Sequence, residues 1–168
     1  MDISQWFSDL DWSAGGEQYW VVEVFSVVFV TLVIALIVRK ALNKLVSQAH
    51  KTINLWDDAL LEAAVKPVSW LVWAIGLTWS AEITGRQSGS VIFEAIEPVR
   101  NVAVIALLCW FLVGFIRKAE QNLMDPKYRS KPVDATTVTA IGKLLRISVI
   151  ITGALVTLQT LGYSVSGV

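Results

Sequence analysis

Residues 134–168 read DATTVTAIGKLLRISVIITGALVTLQTLGYSVSGV, and this stretch decides the fold. Asp134 is a good N-cap for a helix that starts with Ala135, Thr136 and Thr137. Its carboxylate accepts the unpaired amide hydrogens of a first turn and favours the positive end of the helix dipole. An apolar run then continues to Leu161. At about 1.5 Å rise per residue such a helix reaches about 40 Å, enough to cross a hydrocarbon core of about 30 Å with a turn or more left outside. Lys143 and Arg146 then belong at the inner edge. At about 100° per residue, Ala135, Gly142, Arg146, Gly153 and Thr160 share one narrow stripe, and small residues on a membrane helix let another backbone approach closely. The stripe predicts a face packed on protein, with Gly142 and Gly153 as packing residues. In the closing segment GYSVSG at 162–167, Gly162 is suited to a left-handed cap and two hydroxyls can satisfy freed backbone groups.

Three runs carry a family likeness: DATT at 134–137, KLLR at 143–146 and LGYSVSG at 161–167. Together they resemble the second core transmembrane helix of small-conductance mechanosensitive (MscS-like) channels and its turn into the pore helix. A looser likeness lies in WDDALL at 56–61, ahead of another spanning helix. The resemblance implies that Gly162 and Gly167 belong to the turn toward a glycine- and alanine-rich pore helix, followed by a cytoplasmic β-rich vestibule; residues 1–168 contain neither. It further implies a five-span parent in the bacterial inner membrane that assembles as a heptamer, opens under bilayer tension and releases solutes on osmotic downshock. Residues 1–168 alone are then expected to pass no tension-activated current and to form monomers or weak mixed oligomers. The alternative from a different class is a self-contained four-span scaffold or accessory protein that gathers partners through its small-residue face and conducts nothing.

Composition points the same way without any likeness. Of 168 residues 55% are hydrophobic and 17% charged, and the mean hydropathy is +0.59. Soluble domains carry about 25% charged residues, so this is an all-α membrane protein by composition. One bundle is the expected unit. The single Cys109 lies in an apolar run, which excludes an intrachain disulfide and a cysteine metal cluster and leaves a small packing residue.

Four spans are predicted. Residues 1–18 carry four acidic residues and no Lys or Arg, which excludes a secretory signal peptide. Trp6, Phe7, Leu10 and Trp12 there suit either a short interfacial helix or a frayed tail. The first span, 19–38, has Trp20 as an aromatic anchor and Arg39-Lys40 at its other end. Glu23, one turn inside, is read as a snorkelling or paired carboxylate. Leu42, Val46 and Ala49 continue the helical spacing as an amphipathic cytoplasmic extension, in which His50 is a solvated side chain. The second span, 65–83, is short, so it borrows residues before Pro67 or thins the bilayer. Pro67 is then either a first-turn residue or a kink. Trp70, Trp73 and Trp79 suit interfacial anchoring or core packing. Asp57 and Asp58, adjacent and therefore about 100° apart on a helix, read as capping residues and not as a catalytic pair. The third span, 99–116, follows Pro98 and ends at Arg117-Lys118, and Asp125-Pro126 stops any extension. Residues 19–133 thus form peripheral sensor helices, and 134–168 the core helix and its exit turn.

Orientation follows from the basic residues. The tail has none, 39–66 has five, 82–98 has only Arg86, and 117–139 has five. By the positive-inside rule the N-terminus is outside (periplasmic) and both basic connections are cytoplasmic. No nucleophile–base pair, phosphate-binding loop or metal-ligand spacing is present, so neither an enzyme nor a cofactor is expected, and membrane lipids, not nucleic acid, are the expected partners. Arg39, Lys40, Arg117, Lys118, Lys143 and Arg146 are the candidates for lipid contact. Arg146 stands out among them. It shares the stripe of Gly142 and Gly153, where a guanidinium requires a carboxylate, backbone carbonyls or a lipid phosphate; the last predicts a headgroup clamp helped by Lys143, and the alternative is a plain snorkelling arginine.

Overall fold

The computed structural model describes residues 19–49, 54–88, 95–128 and 134–163. They form four α-helices and no strand: α1 Tyr19–Ala49, α2 Leu55–Ser88, α3 Ile96–Met124 and α4 Ala135–Thr160. All four contain a stretch long and apolar enough to cross a membrane, the pattern of a multi-pass membrane protein. Helix is the physical solution for such runs, even where valine and isoleucine dominate as in α1. Inside lipid every backbone N–H and C=O must find its partner within the segment.

The helix ends follow local chemistry. At the start of α2, Asn54 Oδ1 accepts the Trp56 amide at 3.3 Å, while Asn54 Nδ2 donates to Asp57 Oδ2 at 2.7 Å. Pro98 occupies the first turn of α3, where a missing N–H costs nothing. Helix α3 stops at Met124, and the Asp125 side chain then accepts the Lys127 amide at 2.9 Å in a tight turn. Asp134 caps α4 by accepting the amides of Thr136 and Thr137 at 3.1 and 3.3 Å. At its far end Gly162 takes φ +85°, with Gly162 N–H donating to Gln159 and Tyr163 N–H to Leu158, both at 3.0 Å. This pair of bonds is a Schellman closure, and it needs the left-handed residue that Gly162 supplies.

Helix α2 runs unbroken from Leu55, so the second span borrows residues before Pro67, the first of the two solutions expected for it. At about 1.5 Å per residue it is about 50 Å long and needs no thinning of the bilayer. Pro67 consequently lies in its interior, buried, and gives the Ala63 carbonyl no amide partner. The third helix starts at Ile96, three residues before the expected span.

Each helix packs antiparallel on its neighbours in sequence. Among the described residues α1 touches α2, α2 touches α3 and α3 touches α4, with no contact between other pairs. The expected bundle is therefore an open row. Water would force such a row to close around its apolar faces, but lipid tails are as apolar as leucine and cover both faces equally well. The seams are lined by small side chains: Ala35, Ala59, Ala64, Ala119, Ser80, Gly76, Gly142 and Gly153 are buried. Large apolar side chains point outward instead, Phe25 at 71% exposure and Leu144 at 68%. That inversion of a soluble core is what a lipid solvent selects.

Candidate functional site

The most highly organised region lies at the end of the row where α3 meets α4 on one side and α2 on the other. The glycines of α4 form its first part. A Cβ built on Gly142 would stand 2.6 Å from Glu120 Oε2, and one on Gly153 would collide with Cys109 Sγ. At Gly142 a larger residue would make the flexible end of Glu120 move, and at Gly153 it would make the Cys109 thiol rotate away, so each glycine leaves room for the side chain that α3 inserts there. Cys109 sits in the Gly153 notch with its thiol directed at the Val149 carbonyl, 4.0 Å away. The small-residue stripe of α4 does pack on protein. Its first member, Ala135, is exposed because α3 ends before reaching it.

Into the space kept open by Gly142 comes an ion pair. Arg146 Nη1 donates to Glu120 Oε2 at 2.7 Å, and the two side chains retain 21% and 11% of their exposure. Of the three partners considered for this guanidinium, the carboxylate is the one in place. At this depth the pair is shielded from water, so each charge depends on the other. Sequence reasoning missed Glu120. No local pattern marks it, since the α3–α4 register that brings it to Arg146 is a tertiary property.

The α2 side is fastened by further bonds. Lys118 Nζ meets Glu62 Oε2 at 2.6 Å, and Asn122 Nδ2 donates to the Leu55 carbonyl at 3.2 Å. Beyond α3 the chain folds back, and Tyr128 Oη donates to Asp58 Oδ2 at 2.6 Å. Asp57 accepts from the Asn54 side-chain amide at the helix start, and it is Asn54 that takes a backbone amide there. Asp58 instead is 2% exposed and holds the α3–α4 connection onto α2. The hydrogen bond to Asp58, with desolvation, raises the Tyr128 phenol above its ordinary range. The Asp134 carboxyl is lowered by its bonds from the Thr137 hydroxyl and the Thr136 amide.

The other nominated residues are placed as follows. Arg39, Lys40, Arg117 and Lys143 are exposed. Trp70 and Trp79 face outward at 60% and 57%, whereas Trp20 and Trp73 are half-buried. Gly167 lies outside the described residues. At the opposite end of the row Arg100 and Glu82 join α3 to α2 at 3.4 Å. This pair and Lys118–Glu62 straddle the α2–α3 connection at matching sequence distances, as an antiparallel register requires. Among the described residues no three histidine, cysteine or acidic side chains gather as metal ligands. What the arrangement can do is mechanical: it locks α4 to α3, and α3 to α2, at one end through charges and hydrogen bonds. In comparisons with protein families, with curated proteins and with solved structures, none matches this chain.

Proposed function

We propose that these helices are the tension-sensing membrane region of an MscS-like mechanosensitive channel in the bacterial inner membrane, with the N-terminus periplasmic and the α3–α4 connection cytoplasmic. The observation that carries this reading is the open row. Among the described residues each helix is held only by its sequence neighbours, at seams of small residues, and presents large apolar side chains outward. A bilayer shifts an equilibrium only when it interacts differently with two packings. An unclosed row meets that requirement, because opening one seam changes lipid-exposed area without breaking a closed core. The Glu120–Arg146 pair opposes separation of α4 from the rest. The basic residues concentrated at that end support the proposed orientation.

The test is electrical. The full product of the gene, expressed in cells stripped of mechanosensitive channels, is expected to give stretch-activated current in excised patches and survival of osmotic downshock, with an opening threshold shifted by Arg146→Leu. Absence of current and of protection from a protein shown to reach the membrane would remove the channel reading. It would favour the scaffold alternative, to which the one-sided attachment of α4 is also suited.

A further inference from the structure

Helices α1 and α3 both pack on α2 without touching each other, which leaves a groove between them over α2. Near the basic end of the row it widens into a cleft of about 490 Å³. Its floor is low because two facing positions carry almost no side chain: a Cβ on Gly114 would lie 3.7 Å from that of Ala63. Trp110, one turn beyond Gly114 from the basic end, extends the apolar lining. The rim has another character. Lys66, Arg117 and Lys118 stand there with a single carboxylate, Glu62, which Lys118 engages at 2.6 Å. Lys66 and Arg117 are exposed, and neither has an ion-pair partner among the described residues. The cleft therefore keeps an excess of positive charge where the apolar run of α3 gives way to Arg117. From there to Trp110 the slot descends about 10 Å at about 1.5 Å per residue, from headgroup depth into hydrocarbon depth.

We propose that this cleft holds one anionic phospholipid, its phosphate on Arg117 and Lys66 and one acyl chain in the slot floored by Ala63 and Gly114. A guanidinium fork matches two phosphate oxygens, the lysine adds a point charge, and the slot between Ala63, Gly114 and Trp110 offers apolar walls to a hydrocarbon chain, with Asn43 and Gln121 as its polar lining. A bare phosphate would use the rim alone. The inference is independent of whether the protein conducts, since it concerns a site between α1, α2 and α3 only.

Native mass spectrometry of the full chain in mild detergent, titrated with phosphatidylglycerol, with phosphatidylcholine of identical acyl chains, or with inorganic phosphate, reads it directly. One phosphatidylglycerol is expected to bind in preference to phosphatidylcholine, and inorganic phosphate is expected not to displace it. The paired change Lys66→Gln with Arg117→Gln lowers phosphatidylglycerol retention by about thirtyfold, from the loss of two basic groups at the membrane surface. Removing the same charge at Arg39 and Lys40, on the exposed flank of α1, leaves retention within about twofold. Gly114→Leu fills the slot and also abolishes retention, whereas Gly114→Ala, which meets Ala63 at ordinary contact distance, preserves it. Equal losses from the cleft pair and the flank pair would show bulk attraction and overturn the proposal. Displacement by inorganic phosphate, or full retention in Gly114→Leu, would reduce the site to a rim anion site and overturn it equally. Because Lys66 and Arg117 are exposed, their substitution remains decisive even where a filling variant misfolds.

Discussion

Substituting Gly76→Ala is expected to part α1 from α2. A Cβ at this position would stand 2.7 Å from Thr31 Cβ and closer still to both of its γ atoms. Rotation of Thr31 about χ1 exchanges the γ atoms but leaves its Cβ in place, so no rotamer relieves the clash. Carbon atoms pack at about 3.5–4.0 Å, so the helices must separate by about 1 Å along a seam that has no slack. Overpacking of this kind costs about 1–3 kcal/mol. The same geometry specifies the rescue. Thr31→Ala removes the γ atoms and restores part of the loss, although Thr31 also gives up its hydrogen bond to Val27. Thr31→Gly removes all three opposing atoms and restores most of it. Helix propensity does not cancel in that exchange: alanine for glycine at 76 gains about 1 kcal/mol and glycine for threonine at 31 costs about 0.3 kcal/mol, a net gain of about 0.7 kcal/mol to be subtracted from the recovery. Reversible unfolding in mixed micelles with rising dodecyl sulfate, followed by helical circular dichroism, measures each step. Gly114→Ala is the control, expected to be neutral or slightly stabilising because its new methyl meets Ala63 at 3.7 Å. The reasoning fails if Gly76→Ala lies within about 0.5 kcal/mol of the parent, the range of an ordinary surface change, or if Thr31→Gly brings no recovery.

Three further outcomes follow from single contacts. In a double-mutant cycle, Glu120→Leu and Arg146→Leu together are expected to destabilise by less than their sum, with a coupling of about 1–3 kcal/mol, and additive losses would show that the pair is not energetically joined. Tyr128→Phe removes the donor to buried Asp58 and is expected to cost about 1–3 kcal/mol. Because the Tyr128 phenol is raised from 10.0, its contribution is complete below that value and fades as pH rises through the raised one; a parent protein with no such fall relative to the phenylalanine variant would contradict this. The Asp134 carboxyl is lowered from 3.8, so its cap is fully present above that value and is lost as pH falls through the lowered one. Amide exchange at Thr136 and Thr137 is expected to quicken in that acid window, and an Asp134→Asn protein to lack the transition.

The spans, their helical state and several of their ends were legible in the residues themselves. Hydropathy over a window, a proline in the chain and an aspartate before two threonines act within a turn or two, and α4 begins and ends where Asp134 and Gly162 place it. The stripe of Gly142 and Gly153 named the face of α4 that packs, because in lipid close approach requires small residues. What that face packs against was a different matter. Glu120 reaches Arg146, and Cys109 the notch at Gly153, only through the register of α3 against α4. Gly76 looked like any glycine in an apolar run until Thr31 was placed on it. The open row was equally illegible, because in a lipid solvent an apolar helix face is satisfied with or without a protein neighbour. Composition therefore determined that the chain enters the membrane as helices. Only side-chain fit and charge pairing across the seams, set by tertiary register, decided which helices meet.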